Sequence, residues 1–394
     1  MEISVSTTLL DFDQKPALQQ PQWEDSARLQ LVRSKLAASP ALVNIDDVRK
    51  LKTLLARVAM GESNVLQAGD CAEDPAECTP VYITRKAGLL DMLAGALTMT
   101  THKPVLRVGR IAGQFAKPRS SPTEQVGDLE LPVYRGHMVN SPEPDLALRY
   151  PDPERMLTCY TAARDAVGYL GWNVDGGLID IGARIWTSHE ALLLDYEIPL
   201  LRPDSEGGLW LASTHWPWIG ERTRQVDGAH VALLAKVVNP VACKVGPRME
   251  IEELLALCER LDPDREPGRL TLIARMGVES VVKQLPELVS AVCAAEHPVI
   301  WLTDPMHGNT VTTSRGLKTR LLETITREIR EFQNAVQGAG GVAGGLHLET
   351  TPDFVTECVP SAAQVDHIGN KYTSFCDPRL NPQQALFVVS AWQG

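Results

Sequence analysis

Eight short apolar runs, separated by longer segments of helical periodicity, constrain this 394-residue chain more than any other feature. The runs are VLQAG (65–69), PVLRVG (104–109), ARIWTS (183–188), GLWLAST (208–214), PVACKVG (240–246), LTLIARMG (270–277), PVIWLTD (298–304) and GVAGGLHLE (341–349). Each is the length of a buried strand. Helical periodicity falls at 83–97, 152–170, 221–238, 251–261, 278–295 and 316–336, with a short segment at 189–197 and a last one at 382–392. Strand and helix in strict alternation specify a parallel sheet covered by helices. Eight such units predict an α/β fold of the (β/α)8 barrel type, the TIM barrel, over residues 64–394. Residues 1–63 read as a helical N-terminal extension packed on it, with helices in DSARLQLVRSKLAAS and IDDVRKLKTLLARVAMG, each opening near an Asp or Ser cap.

An open doubly wound sheet is the other fold with this rhythm. It needs a phosphate-binding glycine turn after a strand. The one Gly-rich stretch, GAGGVAGG (338–345), follows a helix and precedes a strand, so it reads as a helix stop and tight turn.

The formal net charge of −11 excludes a general nucleic-acid or membrane-surface binder, and any anion site must be local. The N-terminus lacks a basic start and apolar core, and no uncharged apolar run approaches the ~20 residues that span a bilayer. Eight dispersed cysteines with no C-x-x-C pair predict reduced thiols and a cytoplasmic protein.

In a barrel the C-terminal strand ends converge on one mouth. Those ends carry two chemistries here. Cys71, His307, Glu349 and Asp377 form a mixed thiolate, imidazole and carboxylate set suited to a borderline divalent ion such as Mn, Fe, Co or Zn. On residue types alone, His307 also reads as a turn residue and Asp377 as a loop cap. The second group is cationic: Arg110, Lys117, Arg119, Arg222, Lys244 and Arg275. Lys244 and Arg275 sit in apolar strands, where an unpaired charge is costly, so an anion belongs beside them. That anion is either a buried protein carboxylate or a ligand phosphate. AKPRSSP (116–122) reads as a further phosphate seat or as a solvated basic loop.

Ten stretches together resemble one family. They are QAGDCAED, RVGRIAGQFAKPRSSPTEQ, YRGHMVN, WTSHEALLLDYE, WIGERTRQVDGAHV, NPVACKVGP, LTLIARMG, VIWLTDPMHGNT, GGLHLETTPDFVTECV and CDPRLNPQQAL. In this order, from about residue 20 to 390, they resemble the class II (plant-type) 3-deoxy-D-arabino-heptulosonate 7-phosphate (DAHP) synthases. The resemblance implies a metal-dependent, aldol-like condensation of phosphoenolpyruvate with erythrose 4-phosphate, giving DAHP and phosphate at the entry to the shikimate pathway.

Carried over residue by residue, the resemblance implies a divalent ion, Mn2+ or Co2+ with Fe2+ or Zn2+ as alternatives, held by Cys71, His307, Glu349 and Asp377. Phosphoenolpyruvate would meet Arg110, Glu221, Arg222, Lys244 and Arg275. The turn containing Lys117, Arg119, Ser120 and Ser121 would take the erythrose 4-phosphate phosphate. Cys71, Lys244, Glu221 and His307 are the expected catalytic set, with Glu221 or a metal-bound water handling the water that adds at C2. Cys71 as a nucleophile is the rival reading. A homo-oligomer, dimer or tetramer, is expected.

Three departures from the family pattern stand out: His137 where Asp is usual, Ala68 where Gly is usual, and ECVPSAAQV in place of a Gly-rich continuation. His137 motivates an alternative, an enzyme of this type that takes another sugar phosphate or an amino sugar as its aldehyde. A further alternative is a non-catalytic homologue acting as a binding partner. The chain is also short between YRGHMVN and WTSHE, where longer members carry an extra helical pair linked to aromatic feedback. It resembles members serving phenazine or other secondary pathways, and insensitivity to Phe, Tyr and Trp is expected.

Overall fold

The computed structural model describes residues 14–172 and 184–394. The first 13 residues of the expected extension, Ala183 of the third apolar run and most of the segment leading into it lie outside the described residues.

Eight parallel strands close a barrel: β1 Asn64–Gly69, β2 Val105–Arg110, β3 Trp186–Glu190, β4 Trp216–Ile219, β5 Val241–Val245, β6 Leu270–Ala274, β7 Ile300–Thr303 and β8 Val342–Glu349. Each pairs with its sequence neighbours, and β1 pairs with β8 to complete the circuit. Two helices precede the barrel, α1 Ser26–Ala38 and α2 Ile45–Ala59. The longer helices outside it are α3 Pro80–Thr101, α4 Glu154–Tyr169, α5 Ala229–Ala235, α6 Ile251–Leu261, α7 Val278–Ala294, α8 Leu322–Gly338 and α9 Pro382–Val389, with single helical turns at Leu146–Arg149 and Leu194–Glu197. No described helix is long and apolar enough to cross a membrane.

Helix α2 opens with Asn44 accepting from the backbone N–H of Asp46, and Asp46 and Asp47 follow in its first turn, where negative charge complements the helix dipole. Its buried face carries Leu51, Leu55 and Val58. These join Val65, Val108, Trp216, Trp218, Ile273 and Leu302 in one apolar cluster. The cluster fills the barrel from its helix-covered end up to Trp218, which lines the cavity at the C-terminal end. A second cluster lies between the strands and the surrounding helices.

Three expectations are corrected. The fourth barrel strand is WPWI (216–219), and GLWLAST supplies only Leu209–Leu211, one arm of a small antiparallel hairpin with Leu201–Pro203. Pro217 hid the true strand, because proline has no N–H to give a ladder. Asn239 fixes the hairpin's end, accepting from the Leu211 N–H and donating to the Leu211 and Thr214 carbonyls. Helical structure in 221–238 is confined to α5, because residues 220–228 form turns that present Glu221 and Arg222 at the mouth. Helix α8 begins at Leu322, not 316; before it Thr310–Thr312 and Lys318–Arg320 pair antiparallel, and Gly316 turns the chain at φ +79°.

Candidate active site

At the C-terminal end of β1 the backbone runs against β2. A Cβ on Gly69 would stand 2.7 Å from the Arg110 carbonyl oxygen, so only glycine fits. The chain then turns, and the acids of GDCAED separate by role. Asp70 is buried in ion pairs with Lys86 (2.7 Å) and Arg379 (2.8 Å). Glu73 is buried and accepts the backbone N–H groups of Ala112, Gly113 and Gln114 at 2.9–3.1 Å. This holds Ala112 at φ +67°, a conformation non-glycine residues rarely adopt, and steers the following loop toward Lys117. Asp70 and Glu73 therefore brace the two flanks of Cys71 and leave the sulfur facing the mouth.

Cys71, Glu349 and Asp377 each bring a ligand atom within 4.8 Å of one another. Cys71 Sγ lies 3.6 Å from Asp377 Oδ2. His307 joins them through Nε2, 3.3 Å from Glu349 Oε1, while its Nδ1 is 2.7 Å from Asp304 Oδ2. A carboxylate on the far nitrogen of an imidazole fixes the ring and leaves Nε2 free to coordinate. Three of the four expected ligands, from three remote segments, thus meet at one point, and the fourth, His307, reaches them through Glu349.

The electrostatics depend on cations around this cluster. Burial raises the Glu349 carboxyl, but His307, Arg320, Lys117 and Arg110 outweigh it and hold it well below the usual range. Asp377 is lowered in the same way, burial being outweighed by Lys117 with Arg320 and His307. The Cys71 thiol goes the other way: burial, the neighbouring Cys376 thiol and Glu349 all raise it. A thiol and two carboxylates this close, with an oriented imidazole beside them, fit a borderline divalent cation, whose charge favours the thiolate.

Above the cluster opens a cavity of about 530 Å3. Its wall contains Arg110, Arg222, Lys244 and Arg275, together with Glu221, His307 and Asp377. Lys117, Arg119, Ser120 and Ser121 line it too. Cys71 and Glu349 are fully buried beneath it. Two details refine the expected grouping. Lys117 Nζ points at Glu349 Oε1 (3.8 Å), so it sits between the acid cluster and the serine turn. Arg222 donates to Ser120 Oγ (2.6 Å), which joins the two cation groups.

His137 does not line this cavity. It bonds Tyr134 through Nδ1 (2.6 Å), packs edge-on against Phe375, and has Asp74 at 3.8 Å.

Several residues here carried no expectation. Asp304 accepts from both Lys244 and His307, and its position three before His307 in DPMH was the signal. Glu190 ends β3 in the cavity wall with Oε1 buried and unpaired, and burial raises its carboxyl despite Lys117, Lys244 and Arg110 nearby. Arg320 and His347 are fully buried against Glu349 and against Arg110 with Lys244, respectively.

The comparisons decide the family. The model of the class-II DAHP synthetase family matches residues 7–185 and 181–391. The chain belongs to the class-II DAHP synthetase family. That membership makes it an enzyme, a DAHP synthase. Among relatives, it is 57% identical over 378 residues to a probable phospho-2-dehydro-3-deoxyheptonate aldolase of Pseudomonas fluorescens, covering 96% of this chain and 94% of that one. It is 40% identical over 419 residues to phospho-2-dehydro-3-deoxyheptonate aldolase of Streptomyces coelicolor, covering 94% and 93%. A solved phospho-2-dehydro-3-deoxyheptonate aldolase from Francisella tularensis superposes with a TM-score of 0.56 at 12% identity, covering 91% of this chain and 95% of that one, a likeness of fold alone.

Proposed function

We propose that this DAHP synthase condenses phosphoenolpyruvate with erythrose 4-phosphate at the cavity above Cys71, and that a divalent metal ion held by Cys71, His307, Glu349 and Asp377 is required. The observation that carries the reading is the juxtaposition of four cations with the thiol–carboxylate cluster in one cavity. A bound divalent ion supplies Lewis-acid polarisation of an aldehyde oxygen.

The chain's own residues do the rest. Arg110, Arg222, Lys244 and Arg275 hold the carboxylate and phosphate of phosphoenolpyruvate, and fixing the two reactants in one orientation supplies much of the rate. Arg119, Ser120 and Ser121 receive the phosphate of the aldehyde, with Lys117 between that seat and the acid cluster. Glu221, whose Oε2 is buried without a partner, and Glu190 are the carboxyls available to the water that adds at C2. His137 faces Tyr134 and Phe375 instead of the cavity, so nothing there favours a different aldehyde.

The test is direct. Metal-loaded protein given both substrates is expected to consume phosphoenolpyruvate and release phosphate, and EDTA is expected to abolish this. Inertness with erythrose 4-phosphate at every metal tested would overturn the reading. We also infer a cytoplasmic homo-oligomer of secondary metabolism, unregulated by aromatic amino acids. The eight free thiols support the compartment. A fall in initial rate under saturating Trp or Phe would refute the insensitivity.

A pH dependence follows from Lys244. Burial pushes its ammonium down to about 8, against the opposing pull of Asp304. It is charged below that pH and neutral above it. The KM for phosphoenolpyruvate is therefore expected to rise as pH passes 8, by about tenfold for the loss of one charge-assisted hydrogen bond. In Lys244→Arg this step should vanish, because guanidinium stays protonated. A KM flat from pH 7 to 10 in the wild type would contradict it.

A further inference from the structure

The two innermost cations of the cavity converge on one atom. Arg110 Nη1 lies 2.6 Å, and Lys244 Nζ 2.9 Å, from Nε2 of His347, which is fully buried on β8. Guanidinium and ammonium are donors only, so this nitrogen must offer its lone pair and the ring proton must sit on Nδ1. The other side of the ring agrees. Nδ1 is 2.6 Å from Gln67 Oε1, the neighbouring position on β1. Gln67 Nε2 then donates to Ser188 Oγ (3.0 Å), and Ser188 donates to the Gly109 carbonyl (2.9 Å). Trp218 packs edge-on against the imidazole at 5.3 Å. A chain of donors and acceptors across four strands thus holds one neutral imidazole in one tautomer and one orientation.

We propose that His347 is a positioning residue for phosphoenolpyruvate, a neutral acceptor that holds Arg110 and Lys244 side by side without cancelling their charge. This rests on the reading of those two cations as phosphoenolpyruvate contacts. Two like charges repel, and a pair aimed at one ligand needs a fixed partner to stay aligned. A carboxylate there would align them equally well, but it would neutralise the field that the ligand's anionic groups require. The carboxylate partners of these cations, Glu349 for Arg110 and Asp304 for Lys244, are both engaged with His307 as well. Among the described residues, His347 is the one fixed partner that Arg110 and Lys244 share, and it carries no charge.

The experiment compares His347→Gln, His347→Leu and His347→Glu in the metal-loaded enzyme. It measures phosphoenolpyruvate affinity by calorimetry, KM for each substrate, and thermal stability. Glutamine keeps a neutral acceptor and should bind phosphoenolpyruvate within about threefold of wild type. Leucine removes the acceptor and glutamate adds a charge, and each should weaken phosphoenolpyruvate binding about tenfold or more. The KM for erythrose 4-phosphate should stay within about threefold throughout. Three results would overturn the proposal: leucine binding phosphoenolpyruvate as wild type does, glutamate binding it as tightly as glutamine, or glutamine failing as badly as leucine. The leucine arm decides the matter if the glutamate variant does not fold. Wild-type protein that binds no phosphoenolpyruvate would instead overturn the reading of the site itself.

Discussion

Cys71→Ser is expected to lower turnover by about a hundredfold to a thousandfold while leaving the fold intact, the scale lost when one strong electrostatic contributor leaves an active site. The side chain is fully buried and the exchange changes its volume little, so the thermal midpoint should move only slightly. What changes is the donor. A thiolate is a soft, anionic ligand, and a serine hydroxyl at neutral pH is a weak, neutral one. Metal affinity should therefore fall by at least the ~10–100-fold seen when only a ligand's supporting partner is removed.

The same variant separates the two readings of this sulfur. If Cys71 is a ligand, raising the metal concentration should recover part of the lost activity, and the near-ultraviolet thiolate–cobalt absorption of Co2+-loaded wild type should disappear in the variant. If it is a nucleophile, excess metal should recover nothing and the cobalt spectrum should be unaltered. The surroundings favour ligation. Glu349 and Asp377 bring ligand atoms within 4.8 Å of the sulfur, a donor set that suits a shared cation, whereas two carboxylates beside it oppose a free thiolate nucleophile.

Much of this was legible in the chain, for identifiable reasons. Apolar runs report burial, and seven of the barrel strands were found because each is a continuous apolar segment between turn signals. The fourth was missed because Pro217 looks like a break. In the barrel it pairs with His189 in register, where a missing N–H is tolerated. The charged groups at the mouth were legible because the strand ends of a barrel must converge. Their partners were not. Nothing local in PVACKVG or GLHLE says that His347 accepts from Arg110 and Lys244, since those contacts cross strands far apart in sequence. Nor does GDCAED say which acid is a ligand and which a brace. Asp70, Cys71 and Glu73 differ in role only through what the fold brings to them: Lys86 from α3, Arg379 from the loop before α9, and three backbone N–H groups after β2.

Arg379 yields the largest expected stability change. Its guanidinium donates to Glu357 through Nε and Nη2, to Thr373 through Nη2, and to Asp70 through Nη1. Arg379, Glu357 and Asp70 are all buried. Arg379→Met removes one partner from two interior carboxylates, and breaking a buried pair from one side costs about 3–5 kcal/mol. Unfolding by urea at pH 7 should show a loss of that size. The pH dependence carries a sign. Burial raises the Asp70 carboxyl, but Lys86 and Arg379 outweigh it and hold it below its ordinary value. Its contribution is thus complete above the unfolded value of about 4 and is lost as pH falls through the lower folded value. The gap between wild type and variant should narrow on acidification below about pH 4. Arg379 also lies two residues after Asp377, and Asp70 one before Cys71, so this ion pair ties together the segments that carry two of the four candidate ligands. Metal affinity should fall with stability in this variant, although Arg379 touches none of the four. A variant that loses neither would show that the loop carrying Asp377 is held by its other contacts, Lys318 on the carboxylate and Ser374 on the backbone.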